Sequence, residues 1–464
     1  MSTPSRFACH VRPAAHAFMA AAMFTGLWGC ATQSTQHPMV VDRRPATASQ
    51  SVTLPIANTG APSDQAIRSL IDAGRLTGLR HPDFSRFREL IRTGYNGSGY
   101  QPLWLNGNHL NDQGEAAMEV ISQAGSEGLD VRHYDQETLQ HQLDKLDARN
   151  GSAIAAVDVG ISVAVARVIH DVHAGRIPPK EAGINIDTSM REAEASALVK
   201  RIFNQEAPDK VLANARPHFV LYEKLKTALA EYRELAAHRT GVKLPGIDKS
   251  IKPGETWRGV PALADWLSYL GDYAGTEPRN NAYSGNLVTA MKHFQLRHGL
   301  GDDGVIGQST YSALTTPLNI RVRQLELSME RMRWLSERMA DERAIVVNIP
   351  QFELWGFPGH TQASSLSMDV VVGKSVDNNT PVLLDEVERI VFNPYWNVPS
   401  TIAKKELLPK LRQDPNYLVS QNMEMVGGSE VISVAPTPEQ LDALSRGAYR
   451  LRQRPGPGNA LGRV

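Results

Sequence analysis

Cysteine occurs at only two places in this chain of 464 residues, Cys9 and Cys30. Everything after residue 30 must therefore fold without a disulfide framework and without a Cys-based zinc site. The length is too great for one ordinary core, so two to four domains are expected. Hydrophobic residues make up 42% and charged residues 21%, a balance of soluble globular domains. Lys plus Arg is 49 and Asp plus Glu is 49. That neutrality gives no global basic field for nucleic acid and no acidic tail.

Residues 1–30 stand apart. Arg6 and Arg12 precede the apolar run AFMAAAMFTGLW, Ala17 to Trp28. It is too short to span a bilayer and suits the core of a signal peptide. Leu27-Trp28-Gly29-Cys30, followed by Ala31, resembles a bacterial lipoprotein processing site. That resemblance implies lipidation of Cys30 and loss of Cys9 with the signal; the alternative is plain secretion. Residues 31–64, rich in Ser, Thr, Gln, Pro and Ala, read as a flexible linker. No second apolar run is read as long enough to span, so the rest is expected to be soluble.

Residues 65–245 read as helices. Phe84, Phe87, Leu90 and Ile91 recur at helical spacing, and Asn111 to Gly125 and Asp158 to Gly175 are further helices. The latter stops at Gly175 before Pro178-Pro179. Tyr100 to Trp104 reads as a turn with buried aromatics, closed by Asn106-Gly107. Residues 246–317 form a compact three-helix unit marked by Val260, Leu263 and Leu267, then Leu287, Met291 and Phe294, then Ser309 to Leu314. Asp302-Asp303-Gly304 is its turn signal. From Leu318 a two-faced helix runs to residue 335 in a linker of 318–340, with Leu318, Val322, Leu325, Met329 and Met332 on one side. Residues 341–464 change to strands: Ala344 to Ile349, Met368 to Val372 and Arg389 to Phe392, whose β-branched runs predict a buried sheet. Residues 401–411 return to helix, and Gln453 to Gly462 is a Pro/Gly loop.

The stretch GNLVTAMKHFQLRHGLGDDGVIGQSTYSAL, residues 285–314, resembles the peptidoglycan-binding domain of many bacterial wall enzymes. Its matching features are Phe294-Gln295, Gly299-Leu300, Asp303-Gly304-Val305-Ile306-Gly307 and the closing Thr310 helix. The peptidoglycan-binding positions it marks are Phe294, Gln295, Asp303 and Gly304, with Phe294 and Leu300 as simple core residues the alternative reading. Val370 to Leu418 resembles the start of the catalytic domain of large multidomain L,D-transpeptidases. YQPLWL (100–105) and HAGRIPP (173–179) are similar to their scaffold domain, ERMRWL (330–335) to their linker, and RQRPGPGNALGRV (452–464) to their catalytic domain.

The resemblance implies an α+β multidomain architecture: an all-α scaffold, a small three-helix peptidoglycan-binding domain and an incomplete β-rich catalytic domain. It implies acyl transfer from a stem peptide through a cysteine thioester, with a His base and backbone oxyanion donors. The family carries these in a His, then Ser-His-Gly-Cys-Arg segment, and no residue of that segment occurs before Val464. No catalytic residue is assigned, and the chain as it stands is expected to be inactive, the alternative being a non-catalytic wall-binding protein. Asn393, Tyr395, Trp396 and Asn397 match a motif beside the family's substrate cleft, with packed turn aromatics as the alternative reading. Peptidoglycan stem peptides and glycan are the expected partners, with no nucleic acid, no cofactor and no metal. The expected place is the periplasm or cell envelope, with an outer-membrane lipid anchor at Cys30, as a monomer.

Other chemistry is set aside. Gly373-Lys374-Ser375 follows a strand, yet a P-loop needs a Gly where Met368 stands. His170 and His173 lie at i, i+3 without a third ligand and read as a satisfied or exposed pair. Thr380-Pro381 reads as hairpin geometry, and Lys404-Lys405 as a solvated helix face. Residues 341–464 alone are expected to aggregate, and 246–317 alone to fold.

Overall fold

The computed structural model describes residues 62–275, 280–335, 343–358, 364–373 and 379–462. Cys30, Lys374 and Ser375 lie outside the described residues. The chain divides into two units, Met1–Leu383 and Leu384–Val464.

The first unit opens with α1 (Ser63–Ala73), α2 (Arg88–Gly97), a small hairpin of β1 (Leu105–Asn106) and β2 (His109–Leu110), α3 (Asp112–Ser122), α4 (Gln136–Asp144) and α5 (Gly151–Ala174). α6 (Ser189–Phe203), α7 (Pro208–Ala215) and α8 (Val220–His238) follow. α5 begins at residue 151 rather than 158, because the Asn150 side chain accepts the Ala153 N–H and caps it there. By length and composition α5 is apolar enough to cross a membrane, which corrects the expectation that no second run was. Inside this fold 89% of its apolar window is buried, under α1, α3, α6 and α7, so it is the central core helix.

The one carboxylate on the buried face of α5 is put to structural use. Asp158 Oδ1 accepts the Leu103 N–H at 2.8 Å and the Tyr95 hydroxyl at 2.5 Å, and Oδ2 accepts the Trp104 N–H at 2.9 Å. Ser162, one turn on, accepts the Trp104 indole N–H at 2.7 Å. The YQPLWL turn is thus pinned to the core helix by backbone and side-chain donors that burial would otherwise leave unpaired.

α8 packs with α9 (Val260–Tyr269), α10 (Asn286–Arg297), α11 (Gln308–Thr315) and α12 (Leu318–Met332). Leu225, Leu229 and Tyr232 of α8 share one core with Trp266, Phe294, Leu325 and Met329. The predicted stripe of α12 faces inward: Leu318, Leu325, Met329 and Met332 are buried.

The C-terminal end of α12 meets the HAGRIPP turn. Glu330 Oε1 accepts the backbone N–H groups of Arg176 and Ile177, both at 2.7 Å. Its Oε2 accepts from the Arg333 guanidinium at 2.8 Å, and Arg333 reaches the Tyr222 hydroxyl at 3.0 Å and the Glu127 carbonyl. Arg333 is fully buried, so each of these acceptors offsets the loss of water. Glu127, fully buried too, takes Lys226 at 2.7 Å and Arg216 at 2.9 Å. Gly175 sits at φ 87, and a Cβ there would stand 2.9 Å from the Trp334 indole nitrogen. The turn therefore needs glycine both for its backbone and for the close approach.

After residue 342 three antiparallel strands follow, β3 (Ala344–Asn348), β4 (Glu353–Phe357) and β5 (Leu366–Asp369), in that order. The expectation of a buried sheet is corrected here. Trp355 is 5% exposed, but Ile345 is 53%, Val347 44% and Met368 45%. Successive side chains point to opposite faces, and one face of this meander has no described layer on it. β5 also starts at Leu366 instead of Met368, set by the pairing of Leu354 with Met368 and Gly356 with Leu366.

In the second unit β6 (Trp396–Asn397) leads into helix at 400–413. That stretch contains a π turn, Ala403–Leu407. Pro409 has no N–H to return to the Lys405 carbonyl, and the wider turn accommodates the break. β7 (Met423–Gly427), β8 (Glu430–Ser433), α13 (Pro438–Arg446) and β9 (Arg450–Gln453) complete a four-stranded antiparallel sheet of order β6-β9-β7-β8. Its core is Leu408, Leu411, Leu418, Met425, Leu441, Leu444 and Leu451. The predicted strand Arg389 to Phe392 does not form: it pairs with no described strand, and Phe392 is 72% exposed. β-branched composition is met there without a neighbouring edge to complete a ladder.

Candidate functional site

The four residues expected to bind wall in residues 246–317 come together around Gln295. Its Nε2 donates to Asp303 Oδ1 at 3.0 Å, the Val305 carbonyl at 3.0 Å and Thr310 Oγ1 at 3.2 Å. Its Oε1 accepts the Gly304 N–H at 2.8 Å, and the Tyr283 hydroxyl donates to the Gly304 carbonyl at 2.6 Å. Gly304 has φ +76 and a Cβ there would meet Val288 at 2.9 Å, so the loop closes only with glycine. Phe294 and Gln295 are each 1% exposed. They support the loop from within, whereas Asp303 is exposed on its outer side. Phe294 stacks on His298 at 3.9 Å between centroids, and burial holds that imidazole well below its usual range.

In the second unit Asn393 adopts φ 50, turning the chain so that the Pro394 carbonyl accepts from Asn459 Nδ2 at 3.1 Å. Trp396 pairs with Gln453 and Asn397 with Arg452 across β6 and β9. Tyr395 is 47% exposed, with the Arg452 guanidinium 4.4 Å from its ring centroid, inside cation–π range. Arg452 and Arg454 both donate to Glu424, which is 1% exposed on β7. Burial pushes the Glu424 carboxyl up, but the two guanidinium groups outweigh it and hold it below the usual range. The outcome is a rigid shelf, with Tyr395 presenting an exposed aromatic face between polar groups.

Arg452, Arg454, Glu424 and Asn459 were not singled out in the sequence. The alternation Arg450-Leu451-Arg452-Gln453-Arg454 was the available signal, because period two puts the arginines on one face. Gln453 turns inward and binds the Gln421 and Gly458 carbonyls at 2.9 and 3.0 Å, tying down the Pro/Gly tail.

The remaining candidates fall into place individually. His170 lies between Asp171 at 3.0 Å and Glu192 at 2.9 Å, and His173 meets Glu194 at 3.1 Å. Both are satisfied within the helical core. Among the described residues no group of three or more His, Cys, Asp or Glu could hold a metal ion. Thr380 Oγ1 accepts the Gly373 N–H at 2.8 Å, and Lys404 and Lys405 are exposed on the helix surface.

Three family models match this chain in succession. Residues 89–229 match a "Scaffold domain", 258–314 a "Putative peptidoglycan binding domain" and 342–463 an "L,D-transpeptidase catalytic domain". A protein of Haemophilus influenzae named "Putative L,D-transpeptidase" is 26% identical over 209 residues, 43% of this chain and 41% of that protein. The chain thus spans about two-fifths of the length of the curated relative it matches. The helices of the first unit thus fall largely within the scaffold and peptidoglycan-binding matches, and the β-rich part within the L,D-transpeptidase match. Domain by domain, the chain is similar to large multidomain L,D-transpeptidases from residue 89 to residue 463.

Proposed function

We propose that this protein acts on peptidoglycan in the cell envelope, where it holds stem peptides and glycan for cross-linking and wall remodelling. The observation that carries this reading is the succession of scaffold, peptidoglycan-binding and L,D-transpeptidase matches in one chain. Residues 65–245, 246–317 and 341–464 are the three working modules, behind a signal at 1–30 and a linker at 31–64. Cys30 is the lipid anchor point, and the protein works as a monomer.

Within this reading Asp303 and its loop meet the wall, with Phe294, Gln295 and Gly304 holding the loop's shape. Tyr395 and Asn397 line the peptide-facing shelf, with Trp396 and Asn393 fixing its angle. Acyl transfer in the family runs through a cysteine thioester. The thiols of these 464 residues are Cys9 and Cys30, both N-terminal to the three matched regions. The second reading is a non-catalytic wall-binding protein.

Two measurements test this. Sedimentation with purified sacculi should carry the chain into the pellet, and failure to pellet would defeat the wall reading. The intact mass from native cells separates catalyst from binder: a mass well above 50.9 kDa favours the transpeptidase, and one no larger favours the binder.

A further inference from the structure

A cleft of about 650 Å³ opens in the first unit, outside both places described above. Its walls come from the 125–133 loop after α3, the HAGRIPP turn, α8 and α12. It is large enough for a short peptide, and arginines outnumber the carboxylates Asp130, Glu326 and Glu330 on its walls. Arg132, Arg176, Arg233 and Arg323 line it.

The charges in and directly behind the cleft do not cancel. Arg132 is paired with Asp130 at 2.5 Å. Arg233 and Arg323 share one carboxylate, Glu326, at 2.9 and 3.2 Å. Glu330 at the floor is committed to buried Arg333 and to the Arg176 and Ile177 N–H groups. The Arg176 side chain is exposed and takes part in no hydrogen bond or ion pair among the described residues. Five guanidinium groups thus meet three carboxylates, an excess of two positive charges.

The placement of the excess is enforced. The Glu330 bonds to the turn set the backbone from which Arg176 projects, and Gly175 admits no side chain that would push it away. Arg233 is further held by the Gly125 carbonyl at 2.5 Å. Preorganised guanidinium groups recognise carboxylates by paired N–H donors, and a concave wall focuses their field.

We propose that this cleft binds the carboxylate-bearing peptide stem of uncross-linked peptidoglycan, as a second wall contact separate from the 246–317 module. The inference rests on the wall reading above and deepens it. A peptide stem offers what the site asks for: two or more carboxylates on a backbone short enough for the cleft.

The test uses the full chain and a soluble disaccharide-tetrapeptide, with binding followed by calorimetry. The chain should bind the peptide, and Arg176→Gln with Arg323→Gln should weaken binding at least tenfold without changing the melting midpoint. Both side chains are on the cleft surface, so folding is preserved. The same peptide with its carboxylates amidated should bind at least tenfold more weakly. Equal binding by parent and double variant, equal binding of the amidated peptide, or displacement by inorganic phosphate at lower concentration than by peptide would each overturn the inference. Sacculus sedimentation run in parallel separates the two levels. Sacculi bound with no peptide affinity sinks the cleft proposal alone, and sacculi unbound sinks the wall reading with it.

Discussion

Glu330 accepts the backbone N–H of Arg176 at 2.7 Å across 154 residues of sequence, joining the end of α12 to the turn that closes α5. The same carboxylate neutralises Arg333, which has no exposed surface. Glu330→Ala removes both at once and strands a buried guanidinium. The expected cost is roughly 3 kcal/mol or more in chemical denaturation, and Glu330→Gln, which keeps an acceptor, should cost less. An Ala variant within about 0.5 kcal/mol of the parent would show that the junction carries no stability.

Asp158 gives a pH signature. Burial pushes its carboxyl up to about 6, against the lowering by Tyr95 and the backbone donors of the YQPLWL turn. The folded state therefore holds this proton more tightly than the unfolded chain does. The carboxylate's penalty is fully present above about pH 6 and is relieved as pH falls toward the unfolded value near 4. Between pH 7 and pH 5 this group alone should add about 1 kcal/mol of stability. Asp158→Asn should lose that increment, seen as the difference between urea midpoints at the two pH values. Equal increments in parent and variant would contradict the assignment.

Gln295 is a structural hub inside the 246–317 unit. Gln295→Leu keeps the volume but leaves the buried Gly304 N–H without its acceptor and removes one of the donors to Asp303. The expected loss is roughly 2 kcal/mol, with sacculus binding falling because the loop loses its shape. A fully stable variant that still failed to pellet with sacculi would instead make Gln295 a direct contact.

Local patterns carried much of the helical part. The stripe from Leu318 to Met332, the GNLVTAMKHFQL helix and the Gly175 stop are all intrachain periodicities or breakers, and they survive packing. Two features of the second unit are equally local in sequence. Gly428-Ser429 between MEMVG and EVIS makes a two-residue hairpin loop, with Gly428 at φ 62. Thr437-Pro438-Glu439-Gln440 forms a capping box, with the Thr437 N–H bonded to Gln440 at 2.9 Å. Other features have no local trace. Asp158 looks out of place in an apolar helix until Leu103 and Trp104 arrive from 55 and 54 residues away. The failed strand at Arg389 to Phe392 shows the converse, since composition specifies a strand's residues but not its partner.

Where the second core ends is the last testable point. Residues 246–317 alone omit α8 and α12, yet the core runs through both. Arg297 donates to the Tyr232 hydroxyl at 2.9 Å, Tyr269 to the Leu235 carbonyl at 2.6 Å and Leu318 N–H to the Thr240 carbonyl at 2.8 Å. Leu225, Leu229, Leu325 and Met329 add the apolar contacts. A fragment of residues 218–335 should therefore melt cooperatively, while 246–317 should melt at least about 10 °C lower and bind a hydrophobic dye. Were the short fragment to match the long one in midpoint and stay dye-free, α8 and α12 would be ornaments on a self-sufficient three-helix unit, and the core would close at residue 317.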